Sequence, residues 1–158
     1  MGQLTITQKK ETDQITFEIQ GHIDEDADFS SFSLSEFQKI NLNLENIKGI
    51  NSCGIREWIK WMSTSKINQQ IIFKKCPKII VDQINMVEGF LPLHAKVQSF
   101  YVPYYAEESG EEKSILFEEG NHFSGTQLKP PAQVLDSTGQ SMEMDVLENK
   151  YFKFLQKK

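Results

Sequence analysis

The sequence predicts an α/β protein: a mixed sheet with helices packed on it, followed by a small extension and a terminal helix. Three observations lead there. Two alternating runs open the chain, LTIT from Leu4 and QITFEIQGH from Gln14. Apolar strands then alternate with single amphipathic helices, the pattern of parallel crossovers. From about Val102 the texture changes to short apolar scraps between Gly- and Glu-rich turns.

In the first run Leu4 and Ile6 alternate with Thr5 and Thr7, the period of a half-buried strand. After the polar turn at 11–13, Ile15, Phe17 and Ile19 share one face of a second strand, so the two runs read as a hairpin. Gly21 is expected to end it. The acidic, Ser-rich stretch DEDADFSSFSLSEF reads as an irregular connection with Phe29, Phe32 and Phe37 tucked against the sheet. A third strand is expected over about residues 40–44. A helix should begin near Ser52, with Ile55, Trp58, Ile59 and Met62 on one stripe. QIIFKKC supplies a fourth strand. Pro77 suits the first turn of a helix carrying Ile80, Ile84 and Val87 until Gly89. VQSFYVPYY reads as one last strand. Near Asp145 a final amphipathic helix begins, with Leu147, Tyr151, Phe154 and Leu155 on one face.

Composition narrows the function classes. The 158 residues are 39% hydrophobic with 11 Phe, enough for a packed core. The formal net charge of -5, with Lys pairs dispersed at 9–10, 74–75 and 157–158, argues against a nucleic-acid partner, which needs a clustered basic face. No apolar run is long enough to span a membrane, and MGQLTITQKKETDQ has no apolar leader core, so a cytoplasmic location is expected. The two Cys are expected to be reduced.

The segment LNLENIKGINSCGIREWIKWM resembles the centre of a STAS domain, the fold of anti-sigma-factor antagonists and of the cytoplasmic parts of sulphate transporters. The family pattern is an apolar strand, then Asp-Ser-Ser/Thr-Gly leading into a helix. Here the corresponding residues are Asn51, Ser52, Cys53 and Gly54, and the resemblance covers roughly residues 1–100. In antagonists of that family the Ser or Thr before the Gly is phosphorylated by a partner kinase. A phosphate adds nearly two negative charges at a docking surface and expels the partner. Cys53 has no hydroxyl to esterify, and Asn51 removes a charge, so the resemblance implies a lost phosphoswitch. Ser52 is expected to cap the helix, as the equivalent hydroxyl does in the family.

The tail, residues 101–144, resembles a zinc ribbon without its cysteines, like those attached to some bacterial STAS-like proteins. AEESG (106–110) and LDSTG (135–139) share the spacing of the two Cys-x-x-Cys-Gly knuckles of a ribbon. The ligand positions would be Ala106, Ser109, Leu135 and Thr138, none of which replaces a thiolate, so no metal is expected. Structural zinc contributes on the order of 10 kcal/mol to small modules. In its place we expect packing by Phe100, Tyr101, Tyr104, Tyr105 and Phe117, together with the terminal helix over 145–158. His94 and His122 lack partners at ligand spacing.

The expected function is a non-enzymatic regulatory module. It docks a protein partner, a kinase-like anti-sigma factor or a sensor, through Asn51, Ser52, Cys53, Gly54 and Arg56, and needs no cofactor. The alternative is a small-ligand or thiol-redox sensor at the start of the same helix, where N–H groups meet anions and a thiol pKa is lowered. An enzyme has little support: there is no Gly-rich phosphate loop, and Asp24, Glu25, Asp26 and Asp28, like Glu107, Glu108, Glu111 and Glu112, fall in runs that read as solvated.

Overall fold

The computed structural model describes residues 3–156. The first part runs β1 (Leu4–Lys10), β2 (Gln14–Ile23), β3 (Lys39–Ile50), α1 (Ser52–Met62), β4 (Gln70–Lys74), α2 (Lys78–Met86) and β5 (Ala95–Val97). Its strands form one mixed sheet in the order β1-β2-β3-β4-β5. The β1–β2 hairpin is antiparallel and every later pairing is parallel. Each crossover advances one strand in the same direction, so right-handed connections put α1 and α2 on the same face. β2 runs past Gly21, which takes φ +104° where the β2–β3 register shifts, and ends at Ile23. β3 is likewise longer than expected, because Ile47 and Ile50 extend its pairing with β2.

Phe17, Leu42, Phe73 and Val97 stand in register across four strands, and Ile15, Ile40, Ile71 and Ala95 form the next row. Side chains two apart share a face, so these rows make the apolar floor on which the helices lie. The helix stripe differs from the expected one: α1 buries Gly54, Trp58, Trp61 and Met62, while Ile55 and Ile59 are half-buried. Turning both tryptophans inward covers more apolar area than two isoleucines would. Trp61 meets Phe17 edge-on at 5.5 Å and Trp58 meets Phe73 at 5.8 Å. Each indole N–H finds an acceptor, Trp58 the Phe90 carbonyl at 3.1 Å and Trp61 the Phe32 carbonyl at 2.7 Å, which burial of a donor requires. Phe29 stacks on Trp61 at 4.4 Å, so the acidic connection does anchor its aromatics on the core.

VQSFYVPYY is two strands. β5 closes the first sheet, and after Gln98 a new strand, β6 (Ser99–Tyr105), begins a second sheet. β6 pairs antiparallel with β7 (Glu112–Glu118) on one side. A short hairpin of β8 (Phe123–Ser124) and β9 (Gln127–Leu128) follows, and β10 (Glu143–Met144) returns to the other side of β6. Pro103 sits in this central strand without an N–H to donate. It is tolerated because β10 pairs only with Tyr104 and Tyr105.

The terminal helix is broken into α3 (Glu148–Tyr151) and α4 (Lys153–Gln156), and residues 157–158 lie outside the described chain. Tyr151, Phe152, Phe154 and Leu155 are all buried. One regular helix presents a single apolar stripe and would leave part of that run in water. Breaking at Phe152 turns the whole run inward. Its aromatics join those of β7 and β8 around Phe100, whose ring lies 5.1 Å from Phe154, 5.6 Å from Phe117 in β7 and 5.4 Å from Phe123 in β8. Among the described residues no helix is long and apolar enough to cross a membrane.

Candidate functional site: the entrance of the first helix

β3 delivers the chain to this point by pairing Ile50 with Ile23 at the end of β2. Asn51 N–H then donates to the Ile23 carbonyl at 3.1 Å, and the chain turns into α1. Asn51 is extended, and its side-chain oxygen accepts from Gly54 N–H at 2.9 Å. The helix cap is therefore Asn51, a correction to the expected role of Ser52. One residue earlier is the geometry an Asx cap needs to reach the third N–H of the helix. Ser52 is the first helical residue and is exposed. The other end of the Asn51 amide donates to the Glu25 carboxylate at 2.9 Å. That bond holds the Glu25 carboxyl below the usual carboxylate range.

Four of the five expected docking residues thus lie at one turn. Asn51 and Ser52 are exposed, Cys53 is partly covered, and Gly54 is buried against β2. Arg56, half a turn further on, is exposed. Glu25 belongs to this surface and was hidden in an acidic run that reads as solvent-facing. The chain separation of 26 residues between Glu25 and Asn51 gives no local signal for the contact. Asp24 and Asn51 also border a shallow depression of about 660 Å³, which does not reach Cys53. With a carboxylate already bound beside the helix start, an incoming anion meets like charge there. Both cysteines are free thiols. Cys76 is completely buried, and desolvation pushes its thiol far up, out of reach of chemistry.

In the tail, the two Gly turns face one another. Gly110 and Gly139 both take positive φ, at 74° and 88°. They are bridged through Asp136, a residue the spacing did not single out. Its carboxylate accepts from Ser109 Oγ at 2.5 Å, Thr138 Oγ1 at 2.7 Å, Thr138 N–H at 2.9 Å and Gln140 N–H at 2.8 Å. These donors, Ser109 first, hold Asp136 far below the usual carboxylate range although only 6% of the residue is exposed. Of the four expected ligand positions, Ser109 and Thr138 converge on this carboxylate and Ala106 is buried at 1%. Leu135 instead points outward at 41% exposure. A second clasp adds Ser137 Oγ on Glu111 at 2.6 Å and Lys113 on the Leu135 carbonyl at 2.6 Å.

The histidines have local partners: His94 lies 2.8 Å from Ser65 Oγ, and His122 Nδ1 accepts from Glu118 N–H at 3.1 Å. Among the described residues no three His, Cys, Asp or Glu are grouped to hold a metal ion. Tyr101 donates to Glu45, and burial together with that carboxylate pushes its phenol up to about 12. No family model, curated protein or solved structure matches the chain.

Proposed function

We propose that this chain is a non-enzymatic, STAS-like interaction module that docks a protein partner on the entrance of α1, with Asn51, Ser52, Cys53 and Arg56 at its centre. The observation that carries the reading is the double use of Asn51. It caps Gly54 and fastens Glu25, so a short, rigid, exposed turn is framed by an acidic rim. Asp24, Asp26 and Asp28 continue that rim along the same connection, and it favours a basic face on the partner. A partner of the kinase-like anti-sigma or sensor type fits the resemblance. With a thiol in place of the hydroxyl at position 53, binding is not switched by phosphorylation there. The test is quantitative affinity capture with wild type and Cys53→Glu. An added carboxylate on an already acidic turn should release the partner that wild type retains. An unchanged set of retained proteins overturns the reading, as does phosphate found on Ser52 of the native protein.

A further inference from the structure

Strand β5 ends the first sheet, and among the described residues no element pairs with its outer edge. In a parallel ladder alternate residues direct both their N–H and C=O to the same neighbour. Gln98 N–H donates to the Phe73 carbonyl at 2.8 Å. That bond assigns Lys96 to β4 and turns the backbone groups of Ala95 and Val97 outward. The outward N–H of Ala95 is used locally, donating to the Pro92 carbonyl at 2.9 Å. The N–H and C=O of Val97 have no protein partner among the described residues, and Val97 is only 6% exposed. An unpaired donor and acceptor at a strand edge form a template for pairing with another chain.

Beside this edge lies a cavity of about 590 Å³. Ala95, Lys96 and Val97 all border it. Successive strand residues point to opposite faces, so a cavity touching three in a row runs along the hydrogen-bonding edge. Ile84, Phe154 and Leu155 give it an apolar wall, and Thr126 borders it from the β8–β9 turn. Its charged groups are Glu88, Glu119 and Lys96, and the Lys96 ammonium is paired with Glu119 at 2.8 Å. The Glu88 carboxylate is left as the net charge.

We propose that the β5 edge is a strand-addition site for an extended peptide of a partner protein. The peptide's main chain pairs with Val97, one apolar side chain enters the cavity, and a flanking Lys or Arg meets Glu88. Main-chain bonds give such modes their affinity and side-chain pockets their selectivity. The edge is three residues long, about 10 Å, so the cavity must supply much of the binding. A short edge also limits indiscriminate pairing. This site is independent of the docking surface at α1.

The test is an array of capped pentapeptides with an apolar residue at the centre and varied flanks, probed with the full chain. The strongest binder is then titrated into 15N-labelled protein. Binders should carry basic flanks, and the largest amide shift and gain in exchange protection should fall on Val97. N-methylation of the peptide's pairing amides should weaken binding roughly tenfold, the worth of one to two main-chain hydrogen bonds. The exposed substitution Glu88→Lys should reverse the flank preference toward Asp and Glu. Cys53→Glu should leave peptide binding unchanged, which separates this site from the α1 entrance. The proposal is overturned by an array without binders, by binding that N-methylation does not weaken, or by a Val97 amide that does not respond.

Discussion

The α-carbon of Gly54 lies against the carbonyl of Ile23 so closely that a β-carbon would fall 1.9 Å from that oxygen. The contact sets how near α1 approaches the end of β2. Gly54 is not among the positive-φ glycines, so backbone conformation is not the reason for it. Gly54→Ala should therefore push the helix off β2 and cost about 3 kcal/mol. Gly110→Ala makes the contrast. Gly110 has φ +74° but nothing within 4 Å of an added β-carbon, so only the left-handed strain of about 1 kcal/mol applies. Urea unfolding followed by tryptophan fluorescence ranks the two. A larger loss for Gly110→Ala would mean that the close approach does not govern this turn.

Asn51 separates capping from charge at the same turn. Asn51→Ala should cost about 1 kcal/mol, the usual worth of an N-cap. Ser52→Ala should be near neutral, since Ser52 does not cap. Asn51→Asp keeps the acceptor for Gly54 but sets a second carboxylate against Glu25. Its loss should therefore be recovered when Glu25→Gln is added. Thermal unfolding of the four variants decides it: a Ser52→Ala penalty equal to that of Asn51→Ala would move the cap back to Ser52.

The hairpin, the crossovers and the entrance of α1 were readable because each depends on a local period or a local turn. Phe17 and Ile19 alternate, Trp58 and Met62 recur at helical spacing, and Asn51 with Gly54 punctuates the join. What escaped depends on contacts between distant segments. The break inside VQSFYVPYY did leave a trace: Val97 and Phe100 are three apart, an odd spacing that no single alternating strand keeps on one face. Glu25 left none, since a carboxylate looks the same in sequence whether water or a distant donor surrounds it, and its role comes from Asn51, 26 residues away. For Asp136 only the turn that Thr138 and Gln140 close on it is local, and its link to Ser109, 27 residues away, left no signal.

The two thiols should behave oppositely. Cys53 is partly open at the helix start, whereas Cys76 is fully buried with its thiol pushed up by desolvation. A disulfide-exchange reagent should modify one thiol in the native protein and two after unfolding. Cys53→Ser should abolish the native reaction. Native modification of Cys76 would contradict its complete burial.

Asp136 makes stability depend on acid. Its folded pKa is depressed by Ser109, Thr138 and the Gln140 N–H. Its stabilising effect is therefore fully present above the ordinary aspartate value of about 3.9. It is lost as pH falls from there through the depressed folded value. Wild type should lose stability steeply on acidification below about pH 4, and Asp136→Asn should show a shallower slope there with a lower plateau at neutral pH. Denaturant midpoints measured at a series of acidic pH values test this. Parallel slopes in the two proteins would place the acid sensitivity elsewhere.

Asn85 fastens the broken terminal helix to α2. Its side-chain N–H donates to the Tyr151 carbonyl at 2.8 Å, and its side-chain oxygen accepts from Phe154 N–H at 2.9 Å. These two groups flank Phe152, where the helix interrupts its own ladder, so one amide satisfies backbone that α3 and α4 leave open. Asn85→Ala removes both bonds at once and should cost about 2 kcal/mol, two ordinary hydrogen bonds. The damage should be local before it is global. Amides of 148–156 should exchange faster by hydrogen-exchange mass spectrometry, while those of β2 and β3 keep their protection. Equal acceleration across both regions would mean that the terminal segment unfolds only with the sheet, and that Asn85 does not hold it separately.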